Sequence, residues 1–164
     1  MSGAPTRREL GQLLGAGLLG GAAAACGQEP EEETSDGRTL VASLKELGDG
    51  DSIDFEYPEG HAAFVAKLGV SAEGGLGPDA DIVAFHKACP HMGCPIFPDA
   101  ETLGKGEFGP CVCHFSRFDL RMSGRQIEGR ATQRLVRVNL ELEGGELYAT
   151  GIEGVPFGEA PTDG

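Results

Sequence analysis

Cys89-Pro90-His91-Met92-Gly93-Cys94-Pro95 and Cys111-Val112-Cys113-His114-Phe115-Ser116 are the two stretches on which the reading of this chain turns. Each supplies a Cys and a His at short spacing, Cys-x-His in the first and Cys-x-x-His in the second, and each carries one further Cys. A disulfide framework would spread its cysteines more widely. A structural zinc site usually shows two paired-Cys motifs, although zinc held by these same side chains stays an alternative. The mixture of thiol and imidazole in two matched segments points to a metal centre with both kinds of ligand.

Taken together the segments read CxHxxC followed by CxCHxS, which resembles the two-loop signature of Rieske [2Fe–2S] proteins. The resemblance implies one cluster per chain, with Cys89 and Cys111 on one iron and His91 and His114 on the other. Two neutral imidazoles in place of two thiolates remove negative charge, so an added electron is better accommodated. Such centres lie at about −150 to +300 mV, against about −400 mV for all-Cys plant-type clusters. Cys94 and Cys113 are then free to pair with each other, closing a loop of roughly 20 residues worth about 3 kcal/mol in the chain-entropy model; the alternative is that both stay reduced. Ser116 is placed to donate a hydroxyl hydrogen bond to a bridging sulfide, which favours the reduced state. Respiratory Rieske proteins carry a donor Tyr where this chain has Phe118, so a lower potential is expected here. Gly93 lets the backbone pass close to the cluster. His61, His86 and Met92 are read as surface or packing residues rather than ligands.

Outward from these loops the pattern is one of short strands. Ser52-Ile53-Asp54-Phe55-Glu56-Tyr57 alternates with period two, 62–68 and 81–86 are apolar runs, and 134–142 alternates strictly. Gly144-Gly145 then turns the chain back into 146–150, a hairpin. Residues 39–47 allow a short helix or a strand. The expected fold is all-β, a Rieske-type antiparallel sandwich or barrel, with an irregular cluster-binding segment at about 89–126 inserted between strands.

The N-terminus reads as an address. Arg7-Arg8 precede an apolar run at 13–25 that is too short for the ~20 residues a membrane helix needs, and the pair resembles a twin-arginine export signal. Ala23-Ala24-Ala25 before Cys26 resembles a degenerate lipoprotein cleavage box, with ordinary cleavage or an uncleaved anchor as the other readings. Residues 1–25 are therefore taken as the signal, 26–38 as a disordered acidic tether, 39–158 as the domain and 159–164 as a tail. A periplasmic site follows, or one on the outer face of the membrane with a tether through Cys26. The formal net charge of −13 excludes nucleic acid as a partner.

With the ligands placed, the chain resembles the small subunit of arsenite oxidase. The likeness runs from about 39 to 158 and includes Gly75-Leu76-Gly77-Pro78-Asp79, Asp81-Ile82-Val83-Ala84-Phe85, Cys113-His114-Phe115-Ser116-Arg117-Phe118-Asp119 and Gly129-Arg130-Ala131-Thr132-Gln133. Quinol-oxidising Rieske proteins have a Pro-rich segment at the last of these and Gly in place of Phe115. The family implies a heterodimer in which a molybdopterin-containing large subunit oxidises arsenite to arsenate. This chain would hold no catalytic residue and would relay electrons to a periplasmic cytochrome c or an azurin-like copper protein. The competing readings are the Rieske subunit of a quinol:cytochrome c oxidoreductase, the Rieske ferredoxin of an aromatic oxygenase, and a zinc-stabilised interaction module.

Overall fold

The computed structural model describes residues 37–58 and 60–158. The expected export signal, Cys26, nearly all of the tether and the tail lie outside the described residues. Among the described residues nine strands form two antiparallel sheets. The larger contains β1 (Thr39–Ser43), β2 (Ser52–Glu56), β3 (Ala62–Lys67), β4 (Ile82–His86), β8 (Arg137–Glu143) and β9 (Glu146–Glu153), in the order β1-β9-β8-β4-β3-β2. Gly144 and Gly145, at φ 62° and 93°, make the two-residue turn between β8 and β9, the left-handed pair that matches strand twist. Both readings of 39–47 are realised. Thr39–Ser43 pairs with β9, and a 3-10 turn at Leu44–Glu46 follows, where the Glu46 carboxylate accepts from the Ser43 N–H at 3.1 Å. Among the described residues no helix is long and apolar enough to cross a membrane.

The sheet curls, and alternate side chains meet inside it. Ala42 of β1 and Phe55 of β2 join Ala63, Val65, Ile82, Ala84, Val138 and Leu147 in one core. The opposite face of β3 and β4 is equally apolar. Phe64, Ala66, Val83 and Phe85 point outward into a second core, shared with Phe108, Phe118, Leu120 and Leu135. Residues 63–66 and Ile82–His86 are buried on both faces, which is why they read as unbroken apolar runs rather than as an alternation.

The second core is closed by residues 87–136, which correct the expectation of an irregular insert. They hold a three-stranded sheet of β5 (Glu107–Phe108), β6 (Arg117–Asp119) and β7 (Arg125–Glu128), and a one-turn helix α1 (Ala100–Leu103) capped by Asp99. Strands of two to four residues are too short to print a period on the sequence. The alternating run at 134–142 also enters the sheet later than its pattern suggests, at Arg137. Leu135 is drawn into the second core and donates its N–H to the Gly124 carbonyl at 3.0 Å, whereas Val138 faces the first core.

The two units meet at Phe108, whose ring lies 4.5 Å from that of Phe64. Phe108→Ala is expected to cost about 3–5 kcal/mol, the range for a buried aromatic, while Ile127→Ala on the exposed edge changes stability by no more than about 0.5 kcal/mol. Urea unfolding of both variants checks the contrast.

Candidate metal centre

The two sequence segments fold into loops of the same design. In the first, Cys89 N–H donates to the Cys94 carbonyl at 2.9 Å and Gly93 N–H to the Cys89 carbonyl at 2.8 Å. In the second, Cys111 N–H donates to the Ser116 carbonyl and Phe115 N–H to the Cys111 carbonyl, both at 2.9 Å. Counting from each leading Cys, the fifth residue adopts a left-handed backbone: Gly93 at φ 71° and Phe115 at φ 58°. Glycine takes that conformation freely, whereas Phe pays about 1–2 kcal/mol for it. Phe115 nevertheless stands with its ring two-thirds exposed beside His114.

Cys89 and Cys111 are the free thiols among the described residues, each about 1% exposed. Burial pushes the Cys89 thiol up. A backbone N–H of His91 pulls it down, the neighbouring Cys111 thiol raises it further, and the Ser116 hydroxyl lowers it. Metal binding must displace that proton, so loading releases protons and is favoured as pH rises. His91 and His114 are half-buried, and their rings meet edge to face at 86° with centroids 4.7 Å apart. Their Nδ1 atoms face each other at 3.2 Å. Two nitrogens each ~2.1 Å from one metal would be separated by about that distance at an angle near 100°. Two buried thiols at the base and two converging imidazoles at the rim form a donor set that fits a [2Fe–2S] pair with mixed ligands. A second sulfur trio, Cys94, Cys111 and Cys113, has its Sγ atoms within 4.8 Å of one another, but two of these sulfurs are bonded to each other.

Cys94 and Cys113 form a disulfide with Cα atoms 6.5 Å apart, joining the loops across a separation of 19 residues. Ser116 is fully buried, and its Oγ accepts from the backbone N–H groups of Arg130 at 3.1 Å and Ala131 at 3.0 Å. Phe118 is fully buried in the same core as Cys89 and Cys111. Gly93 lies against the Phe157 ring: a Cβ there would sit 2.6 Å from Cε1 and closer still to Cδ1. Met92 is exposed at the tip. His86 is buried, with Nε2 2.7 Å from the Tyr57 carbonyl oxygen and its ring stacked on His61 at 5.4 Å. Sequence reasoning did not find the Arg130 and Ala131 amides or the contact of Phe157. Backbone donors have no signature in the sequence, and the only available hint was Gly129 beside them.

Charge is divided along the molecule. Residues 87–136 carry seven Lys and Arg against five Asp and Glu, whereas the whole chain carries 13 against 26. The acidic excess belongs to the strand scaffold and the terminal segments rather than to the loops.

A protein-family model described as the Rieske [2Fe-2S] domain matches residues 37–141. The chain is 40% identical over 123 residues to iodate reductase subunit IdrB of Pseudomonas sp. (strain SCT), covering 74% of this chain and 63% of that protein. It is 38% identical over 119 residues to the subunit of the same name from Denitromonas iodatirespirans, covering 72% of this chain and 64% of that protein. It thus spans less than two thirds of the length of these relatives. The soluble domain of Rieske protein II (soxF) from Sulfolobus acidocaldarius superposes with a TM-score of 0.59 at 23% identity, covering 70% of this chain and 77% of that one, a likeness of fold.

Replacing Cys94 and Cys113 together by Ser is expected to lower stability by about 3 kcal/mol, measured by chemical denaturation of the loaded protein with iron content as a second readout. Phe118→Tyr places a hydroxyl in the buried cluster that contains both thiols. A hydrogen bond of about 1 kcal/mol made preferentially to the reduced centre raises its midpoint by about 40 mV; a redox titration with no upward shift would count against this assignment.

Proposed function

Since the chain belongs to the Rieske [2Fe-2S] domain family, we propose that it is the electron-relay subunit of an oxidoreductase whose large subunit carries a molybdopterin. Cys89 and Cys111 would hold one iron of the pair, and His91 and His114 the other. When bound, the cluster supplies a one-electron site of raised potential. The chain's own residues do the rest. Phe108, Phe118, Leu120 and Leu135 keep water from the thiol side. The half-exposed imidazoles have as close neighbours in the chain Met92, Val112 and Phe115, apolar side chains each more than half exposed. Exposed apolar side chains on the two loops fit a partner face. The weakly basic character of residues 87–136 suits a partner rim that is neutral or acidic. The single observation that carries the reading is the convergence of two buried thiols and two facing imidazoles from two matched loops.

The substrate lives on the other chain. The residues quoted from 39 to 158 resemble the arsenite oxidase small subunit, so arsenite is the proposed substrate, with electrons flowing outward to a cytochrome c or an azurin-like protein. The 40% identity to an iodate reductase subunit supports a second reading, iodate reduction, in which electrons flow inward. Both demand a one-electron relay at this position. Export by the twin-arginine route to the periplasm, with Cys26 as a lipid anchor on the outer face of the membrane, is proposed from Arg7-Arg8 and 13–25. The Cys94–Cys113 disulfide supports it, since such bonds persist in oxidising compartments.

The complex purified with the product of the neighbouring reading frame tests the proposal. Arsenite is expected to reduce the centre and bring up its low-g paramagnetic signal. Iodate oxidising a pre-reduced sample, with no response to arsenite, would transfer the assignment to the second reading. A preparation without molybdenum would remove the proposed partner, and zinc in place of iron and acid-labile sulfide would remove the relay.

A further inference from the structure

We propose that Gly129 is a positioning residue for Ser116. Having no side chain, it lets residues 129–131 close onto Ser116, so that two backbone amides occupy both lone pairs of the hydroxyl oxygen and leave its proton only the sulfur side. The inference rests on the reading of Cys89, His91, Cys111 and His114 as the holders of a [2Fe–2S] pair, and concerns how this chain prepares the second contact around them.

A serine oxygen has one proton and two lone pairs. In this structure the N–H groups of Arg130 and Ala131 point at that oxygen from 3.1 and 3.0 Å, and the side chain is fully buried, so no water competes. With both acceptor positions filled, one direction remains for the hydroxyl proton. Cys89 is the sulfur whose ionised form the Ser116 hydroxyl favours, and the proton is assigned to that side. Ser116 is thereby fixed as a donor toward the thiol base of the centre, rather than free to rotate between donor and acceptor roles.

The clamp needs glycine. Gly129 adopts φ +88°, and a Cβ there would lie 2.5 Å from Ser116 N, closer still to Ser116 Cα, and 2.8 Å from the Phe115 carbonyl carbon. All three are backbone atoms, so no change of rotamer relieves the overlap, and one of the two segments must withdraw. Gly109 grips Ser116 from another side: a Cβ there would lie 2.8 Å from the Ser116 carbonyl oxygen, the atom that accepts the Cys111 N–H. Ser116 thus cannot follow a displaced 129–131 segment without disturbing the second loop, and the amides leave the hydroxyl instead.

The test is a double-mutant cycle on the loaded full-length protein, read by midpoint potential and by the g-values of the reduced centre. Ser116→Ala sets the reference, a fall in the reduction equilibrium of about tenfold, 59 mV for one electron. Gly129→Ala is expected to move potential and g-values in the same direction in the wild-type background and to leave them unchanged in the Ser116→Ala background. Arg130→Pro removes one of the two amides without adding a Cβ at 129, and serves if Gly129→Ala does not fold. It is expected to give a smaller fall that also vanishes in the Ser116→Ala background. Equal shifts in both backgrounds, or no shift with Arg130→Pro, would overturn the proposal while the wild-type signal still stands. Absence of that signal from the wild type would instead overturn the reading of the centre itself.

Discussion

Everything around the metal centre hangs on the outer face of β3 and β4. Phe64 and Phe85 project away from the interior of the curled sheet, and leaving them in water would forfeit about 1.5–3 kcal/mol each. The insert at 87–136 satisfies them by laying Phe108, Phe118, Leu120 and Leu135 on that face. Cys89 and Cys111 are carried into the same cluster of buried side chains, so the packing that attaches the insert to the sheet also dries the base of the site. A change that loosened this contact would weaken attachment and admit water together.

Within the insert, one loop geometry is used twice. The repeated amide bonds, from the leading Cys to the fifth residue beyond it and back from the fourth, hold the Cys of each loop at the base while the His stands at the rim. The left-handed backbone at that fourth residue beyond the Cys explains an otherwise arbitrary glycine at 93 and makes Phe115 informative, because its backbone accepts a strain that glycine would avoid. The ring so displayed is one of the exposed apolar side chains of the two loops. The disulfide then ties the two loops to each other, so their relative position depends on a covalent link as well as on the core beneath.

Charge and chemistry are separated along the molecule. The strand scaffold and terminal segments hold the acidic excess, and the loops do not share it. Net charge read over the whole chain therefore describes solubility better than it describes the face where an electron would pass. Around that face the contacts that matter are short range: amides on Ser116, aromatic carbon against Gly93, thiols in a dry pocket.

The sequence alone determined what depends on side-chain identity and local period. The two Cys and His spacings announce a mixed-ligand centre, Gly144-Gly145 announces the hairpin, and the alternation at 52–57 announces a half-buried strand. These signals are legible because each is contained within a few neighbouring residues. Tertiary structure decided the rest. Burial on two faces erased the alternation of β3 and β4, and strands of two to four residues hid the second sheet inside what reads as an irregular segment. The late entry of β8 followed from the demand of the second core for Leu135. The amides of Arg130 and Ala131 met Ser116 only once the chain had returned from 14 and 15 residues away. Every residue but proline offers an N–H, so no spelling of the sequence marks the two that are used here; only the close approach of Gly129 to another stretch of backbone selects them.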